Sequence, residues 1–304
     1  MVSEGIRMST VGFIGLGHMG NPMAHNLIKS GFSVIVYDVA PALIQAFNGT
    51  AAKQVGSIAE LAKEANIIIT SVQTGEQVNS ICLGDQGVFQ QAKPGTLYID
   101  CSSIDIVTTR ALHETAALHQ IAMLDAPVSG GVAGATQATL TFMVGGLKEH
   151  FDQALPLLEK MGKKVIYAGA AGNGQAAKIC NNLLLGISMI GTSEAFNLAQ
   201  KLGLHPKTFF DISSNASGQC WAMTSYCPVP DILEQAPSTH DYQPGFMAKM
   251  MLKDLHLGQH AAEAVQAAIP LGAAATELYQ LYVNQGFGEL DFSGIINFIA
   301  KKPH

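Results

Sequence analysis

Nowhere in its 304 residues does this chain run through about 18 uninterrupted apolar positions, so a membrane-spanning helix is excluded. Positive charge is scarce as well. With 17 Lys and Arg against 23 Asp and Glu, the formal net charge is −6 and no basic stripe exists, which argues against a nucleic-acid partner. The five cysteines (Cys82, Cys101, Cys180, Cys220, Cys227) are odd in number and contain no Cys-x-x-Cys pair. Reduced thiols in a reducing compartment are the simplest reading. The first nine residues hold one Arg and one Glu and no apolar core, so neither a secretory signal nor an Arg-rich transit peptide is expected. Cytoplasm is the expected compartment, and a processed organellar form would read the same. Internal repeats and low-complexity tracts are absent. What is present is length enough for two domains, with 48% hydrophobic and 13% charged residues, as in a compact cytosolic chain.

The most informative stretch is Thr10-Val11-Gly12-Phe13-Ile14-Gly15-Leu16-Gly17-His18-Met19-Gly20, an apolar run that breaks into Gly-x-Gly-x-x-Gly. Val34-Ile35-Val36-Tyr37-Asp38 follows at the interval of a dinucleotide-binding βαβ unit. Gly15 supplies the sharp turn, Gly17 a close approach to pyrophosphate, and Gly20 tight packing of helix on sheet. The amides and positive dipole end of a helix from about His18 to Ser30 then face the phosphates, with Leu16, His18 and Met19 in the same loop. Asp38 is placed to accept from a ribose 2′-OH, and no Lys or Arg lies between it and Lys53 to receive a 2′-phosphate, so NAD is expected over NADP. The competing reading is that Asp38 caps the helix opened by Pro41.

Up to about residue 169 strand-like runs alternate with helical segments, the pattern of a doubly wound Rossmann-like α/β sheet. Strands are expected at Val11–Ile14, Ser33–Tyr37, Ile67–Val72, Leu97–Asp100, Ala122–Leu124, Leu140–Val144 and Lys164–Tyr167. Ligands of such sheets bind beyond the carboxyl ends of the strands. Val72-Gln73-Thr74 and Asp100-Cys101-Ser102-Ser103 fall there and are candidates to line the nicotinamide half of the cofactor, as is Gln77; helix capping is the alternative for the Ser and Thr. Past Gly172-Asn173-Gly174 the pattern changes. One long helix over about 174–201, with only Lys178 and Glu194 as charges from Gln175 to Gln200, belongs in the interior and joins residues 1–171 to an all-α domain over 172–304. Further helices are expected near Pro206–Ser214, Met247–Ala267, Pro270–Gln285 and Gly294–Lys301. The segment Gly218–Gly245, with Pro228, Pro230, Pro237 and Pro244, reads as a loop over the domain cleft.

Lys178 is the leading candidate for chemistry. It lies one turn into an apolar helix, where an ammonium is costly and desolvation moves an amine toward the range in which it exchanges protons with an alcohol. Asn182, four residues on, shares its face; Asn181 could reach the same oxygen from the other side. A lysine snorkelling out to water is the alternative. The turn Asp125-Ala126-Pro127-Val128-Ser129-Gly130-Gly131 offers the amides of Ser129, Gly130 and Gly131 and the Ser129 hydroxyl to one carboxylate, or is an ordinary glycine turn. His256, His260 and Glu263 share a helix face, yet a solvated face is the default reading and no metal is expected.

Together with Leu140-Thr141-Phe142-Met143-Val144-Gly145-Gly146, Gly174-Gln175-Ala176-Ala177-Lys178-Ile179-Cys180-Asn181-Asn182 and Lys253-Asp254-Leu255, these blocks resemble the β-hydroxyacid dehydrogenase family over nearly the whole chain. Gly218-Gln219-Cys220-Trp221 and Tyr226-Cys227-Pro228-Val229-Pro230 look like its hydroxyisobutyrate branch. The resemblance implies Lys178 as catalytic lysine, Asn182 as substrate-orienting amide, Ser129 to Gly131 as carboxylate site and Lys253 as a contact near the nicotinamide. It also implies NAD-dependent oxidation of 3-hydroxyisobutyrate to methylmalonate semialdehyde, a step of valine catabolism, and a homodimer or homotetramer. Two departures stand out: the family usually has Leu-Pro at Val72-Gln73 and Asp-Ser-Ser at Asp100-Cys101-Ser102. Within the enzymes the rival is tartronate semialdehyde reductase, disfavoured by apolar Trp221, Val229 and Pro230; 6-phosphogluconate lacks a basic clamp. A non-catalytic NAD-binding module would need no lysine and asparagine on such a helix.

Overall fold

The computed structural model describes residues 9–301; the N-terminal stretch read for targeting signals lies almost entirely outside them. The chain divides into two compact units, one up to Lys178 and one from Ile179 onward. The expected boundary at 171/172 falls just ahead of the helix Asn173–Lys201, whereas this division falls within it.

In the first unit, residues that alternate between two apolar faces form β1 (Thr10–Ile14), β2 (Ser33–Tyr37), β3 (Lys53–Gln54), β4 (Ile67–Thr70), β5 (Leu97–Asp100), β6 (Ala122–Asp125), β7 (Val128–Ser129), β8 (Leu140–Gly146) and β9 (Gly162–Gly169). Their order in the sheet is β3-β2-β1-β4-β5-β6-β8-β7, with β9 beside β8. Val11, Phe13, Val34, Val36, Ile67, Ile69, Leu97 and Ile99 pack into one core and Ile14, Ile35, Ile68 and Tyr98 into another, so both faces are covered. From β1 the chain winds outward to β2 and β3, then returns to β4 on the other side of β1. That reversal creates the crevice beyond the carboxyl ends of β1 and β4 where such folds hold dinucleotides.

The sheet is parallel from β3 to β6, but β8 runs antiparallel to β6 and β7, and β9 is parallel to β8. The cause is local. Between β6 and β8 the only helix is Gly131–Thr136, six residues or about 9 Å, too short for a parallel crossover. The strands β3 and β7 have two residues each, below the length at which alternation registers, and were not expected. The strand expected to reach Val72 stops at Thr70, which leaves Val72 in the following loop.

The second unit is helical. After the remainder of Asn173–Lys201 come Pro206–Ser213, Trp221–Thr224, a 3₁₀ turn Pro237–His240, then Ala248–Val265, Pro270–Tyr282 and Ile295–Ala300. Met189, Ile190, Met251, Leu255, Tyr279, Tyr282, Phe292 and Ile295 form its core. The helix expected to reach Gln285 ends at Tyr282, where the chain widens into a π turn through Gly286 at φ +94°. The segment read as a loop is held by Asp291. Its Oδ2 accepts from the Tyr226 hydroxyl at 2.9 Å and from the Gly245 and Phe246 amides at 3.0 Å each. Its Oδ1 accepts from the Ser293 amide at 3.0 Å and hydroxyl at 2.6 Å. The expectation that the long helix is interior needs correction: Leu184, Gly191 and Leu198, seven apart and so on one face, are exposed.

Candidate active site

At the carboxyl end of β1, Gly15 turns the chain at φ +92° and donates its amide to the Tyr37 carbonyl at 3.1 Å. The helix that follows runs Gly20–Lys29, two residues shorter at its start than expected, and no side chain caps its first turn. Its leading amides are thus free of a competing side-chain acceptor. A Cβ on Gly20 would stand 1.9 Å from the Gly15 carbonyl oxygen, whereas one on Gly17 would meet no atom within 4 Å. Gly20 is therefore needed for packing, and Gly17 leaves backbone open to a phosphate. Asp38 closes the loop: Oδ2 accepts from the Leu16 amide at 2.7 Å and Oδ1 from Ala40 at 2.8 Å. It does not cap the helix opened by Pro41, whose N-cap is Ala40. Each of its oxygens keeps lone-pair capacity for a ribose hydroxyl. The open backbone at Gly17 and the uncapped first turn of the helix fit a dinucleotide.

Beyond β4 and β5 the loops are cross-braced. Ser102 Oγ accepts from the Val72 amide at 3.0 Å, and Asp100 Oδ1 accepts from the Ser102 amide at 3.1 Å and the Thr70 hydroxyl at 2.8 Å. Burial pushes the Asp100 carboxyl up to about 6, against the opposing hydrogen bonds from Ser102 and Thr70. Its Oδ2 is buried without a hydrogen-bond partner, so part of the desolvation cost of the charge goes uncompensated. Cys101 packs in the apolar core, where burial drives its thiol well up, so this departure from the family pattern changes a core side chain. Gln77 caps a helix: its Oε1 accepts from the Gln73 amide at 2.9 Å and the Thr74 amide at 3.2 Å, and Thr74 returns the cap.

Ser129 ends β7 opposite Thr141, and Gly130 and Gly131 follow at φ +133° and +63°, a turn that side chains with a Cβ rarely adopt. Lys178, near the start of the long helix, is 9% exposed, which is not the position of a snorkelling amine. Four residues on, in the second unit, Asn182 is 1% exposed. Its Nδ2 donates to Asp254 Oδ2 at 2.5 Å and its Oδ1 accepts from Asn181 Nδ2 at 3.0 Å. Because a carboxylate only accepts, Asp254 fixes which way the Asn182 amide faces. Lys253 Nζ lies 3.3 Å from Asp254 Oδ1. Asn181 itself is exposed.

Residues 10–169 match the family model described as the NAD binding domain of 6-phosphogluconate dehydrogenase, and residues 172–299 match that described as NAD-binding of NADP-dependent 3-hydroxyisobutyrate dehydrogenase. The mitochondrial 3-hydroxyisobutyrate dehydrogenase of Homo sapiens is 44% identical over 96% of this chain and 87% of its own length. A solved structure of Mycobacterium tuberculosis 3-hydroxyisobutyrate dehydrogenase with L-serine superposes with a TM-score of 0.90, at 44% identity, over 96% of this chain and 99% of that one. The chain belongs to the 3-hydroxyisobutyrate dehydrogenase family. It is an NAD-binding oxidoreductase. The NAD-dependent L-serine dehydrogenase of Pseudomonas aeruginosa is similar too, 43% identical over 94% of this chain and 96% of that protein.

For a member of the 3-hydroxyisobutyrate dehydrogenase family, three residues matter that sequence reasoning left without a role. Asp254 orients Asn182, and Asp125 and Gln175 hold the first turn of the long helix. Their only sequence signal was membership in the quoted blocks. Val229, expected to read the substrate, is 7% exposed and packs with Phe196, Met223, Cys227, Tyr242 and Ile296, so it belongs to a core. Trp221 is half exposed and stacks on Tyr226 at 4.9 Å. His256 and His260 have ring centroids 6.4 Å apart, and no group of three or more metal-ligating side chains occurs among the described residues. None of their helices is long and apolar enough to cross a membrane.

Proposed function

We propose that this chain oxidises 3-hydroxyisobutyrate to methylmalonate semialdehyde with NAD, a step of valine catabolism. The observation that carries the reading is a buried lysine, Lys178, one helical turn from an asparagine whose amide is locked by Asp254. Bound NAD supplies the acceptor for the hydride. The chain supplies the rest: Ser129, Gly130 and Gly131 bind the carboxylate, Asn182 orients the hydroxyl oxygen, and Lys178 Nζ accepts the hydroxyl proton. Held in line, the hydroxyl and the amine react as neighbours rather than by encounter, which supplies much of the rate. Gly15 to Gly20 and Asp38 bind the adenosine and phosphates, Val72, Gln73, Gln77 and Ser102 line the loops beside them, and Lys253 contacts the coenzyme. Asp38, with no Lys or Arg up to Lys53, supports NAD over NADP.

L-serine is the second reading, supported by the similarity to an L-serine dehydrogenase and to a structure with L-serine. Val229, a core residue, does not select against the hydroxyl of tartronate semialdehyde. Initial rates of NADH formation decide among them. With NAD, kcat/KM for 3-hydroxyisobutyrate should exceed that for L-serine by on the order of 10-fold or more, the scale of one misplaced group in a pocket. With NADP the rate should be lower than with NAD. A preference for L-serine, or for NADP, would reverse the corresponding assignment.

Leu184 and Leu198, 64% and 59% exposed on the face that Gly191 shares, are proposed to be covered by a second copy of this chain in a homodimer or homotetramer. Light scattering should give a dimer or tetramer mass, shifted toward the monomer by Leu198→Glu; a monomeric native chain would contradict it. Five unbridged cysteines support a reducing compartment such as the cytoplasm.

A further inference from the structure

Ser, Thr, Asp and Asn are the preferred residues at a helix start because their side chains satisfy first-turn amides. The helix Asn173–Lys201 is preceded by Ala170, Ala171 and Gly172, which have no such side chain, and the Asn173 amide group donates instead to the Ala168 carbonyl at 3.0 Å. The acceptor comes from elsewhere. Asp125, the last residue of β6, accepts from the Gly172 amide on Oδ1 at 2.9 Å and from the Gln175 amide on Oδ2 at 3.0 Å. His113 Nε2 lies 2.9 Å from the same Oδ1, and the carboxylate is wholly buried. The sequence makes room for it, since a Cβ on Gly145 would stand 2.7 Å from Oδ1 and one on Gly174 2.8 Å from Oδ2. A negative charge there also meets the positive end of the helix dipole.

Gln175 fastens the same turn to the next strand. Its Nε2 donates to the Ser102 carbonyl at 2.7 Å and its Oε1 accepts from the Ile104 amide at 3.2 Å, while its side chain is fully buried. Ser102 in turn holds the Val72 amide at 3.0 Å. One turn of helix is thus pinned to the carboxyl ends of β5 and β6, and Lys178 follows Gln175 by three residues on the same helix. From Asp125 the chain also runs directly through Pro127 into Ser129, Gly130 and Gly131.

We propose that Asp125, with Gln175, is a positioning residue for Lys178. Resting on the reading of Lys178 as proton acceptor, the assignment makes one buried carboxylate fix the distance between the amine and the turn that binds the substrate carboxylate. Asp125 takes no part in the chemistry. Its effect passes through the lysine, and that dependence is measurable.

The test is a double-mutant cycle on the full chain: Asp125→Asn, Lys178→Ala and the pair, with kcat on 3-hydroxyisobutyrate, the NADH dissociation constant by fluorescence, and the thermal midpoint recorded for each. Asparagine keeps the size of aspartate but turns an NH₂ toward one of the two amides, so one anchor is lost. Asp125→Asn should lower kcat by on the order of 30-fold and leave NADH binding within about threefold; on the Lys178→Ala background it should lower kcat by less than about threefold. An equal loss on both backgrounds, or a loss carried by NADH binding, would overturn the positioning role. Gln175→Met in the same cycle keeps the backbone anchor and removes both side-chain bonds, which covers an Asp125→Asn chain that fails to fold; additivity there overturns the role as well. If Lys178→Ala itself turns over normally, the lysine assignment falls; if it is impaired and the second losses are additive, only the positioning role falls.

Discussion

Gly20→Ala should weaken coenzyme binding by on the order of 100-fold and lower stability by about 1–3 kcal/mol, the range for forcing one extra methyl into a packed site. The new Cβ would stand 1.9 Å from the Gly15 carbonyl oxygen and 3.1 Å from Phe13 Cε1. The helix has no room to retreat, because Met23, Ala24 and Leu27 are fully buried in the core beneath it. The loop must move instead, and the amides of Gly15 to Gly17 move with it. A distortion of about 2–3 kcal/mol expressed in the bound state corresponds to on the order of 100-fold in NADH affinity. Gly17→Ala is the control, since its Cβ meets no protein atom within 4 Å: the thermal midpoint should hold while NADH binding weakens. Wild-type NADH affinity in Gly20→Ala would remove the glycine loop from the coenzyme site.

Lys178→Ala is the second large effect. Loss of the proton acceptor should lower kcat by about 10²–10⁴-fold, the usual contribution of a general base, with NADH binding within a few-fold of normal. The amine stands in a helix turn where only 9% of the residue is exposed, so bulk water is a poor substitute for it. Lys178→Arg should not restore activity, because a guanidinium stays protonated and cannot accept. A kcat loss matched by an equal loss of coenzyme binding would point instead to a structural lysine.

How much of this was readable in the chain divides along sequence distance. The glycine loop, Asp38 and the long helix were legible because each leaves a local signature: fixed glycine offsets, an acidic strand end, a run of helix formers without proline. The observed helix begins at Asn173 and ends at Lys201, within a residue of expectation. Contacts between distant segments leave no such mark. Asp254 reaches Asn182 and Asp125 reaches Gln175 across long stretches of chain, and neither pairing alters any periodicity. The antiparallel β8 was hidden for a related reason, since strand direction depends on whether the connection is long enough to cross back. Val229 was misjudged by neighbourhood, since it fills a small core.

A buried amine that takes the hydroxyl proton is the centre of this account, and restoring it from outside is its most direct test. Small primary amines added to the Lys178→Ala enzyme with NAD and 3-hydroxyisobutyrate should raise the rate of NADH formation, and more basic amines of similar size should raise it further. A Lys178→Ala enzyme that is slow, binds NADH normally and gains nothing from any amine would contradict the proton-transfer role of Lys178.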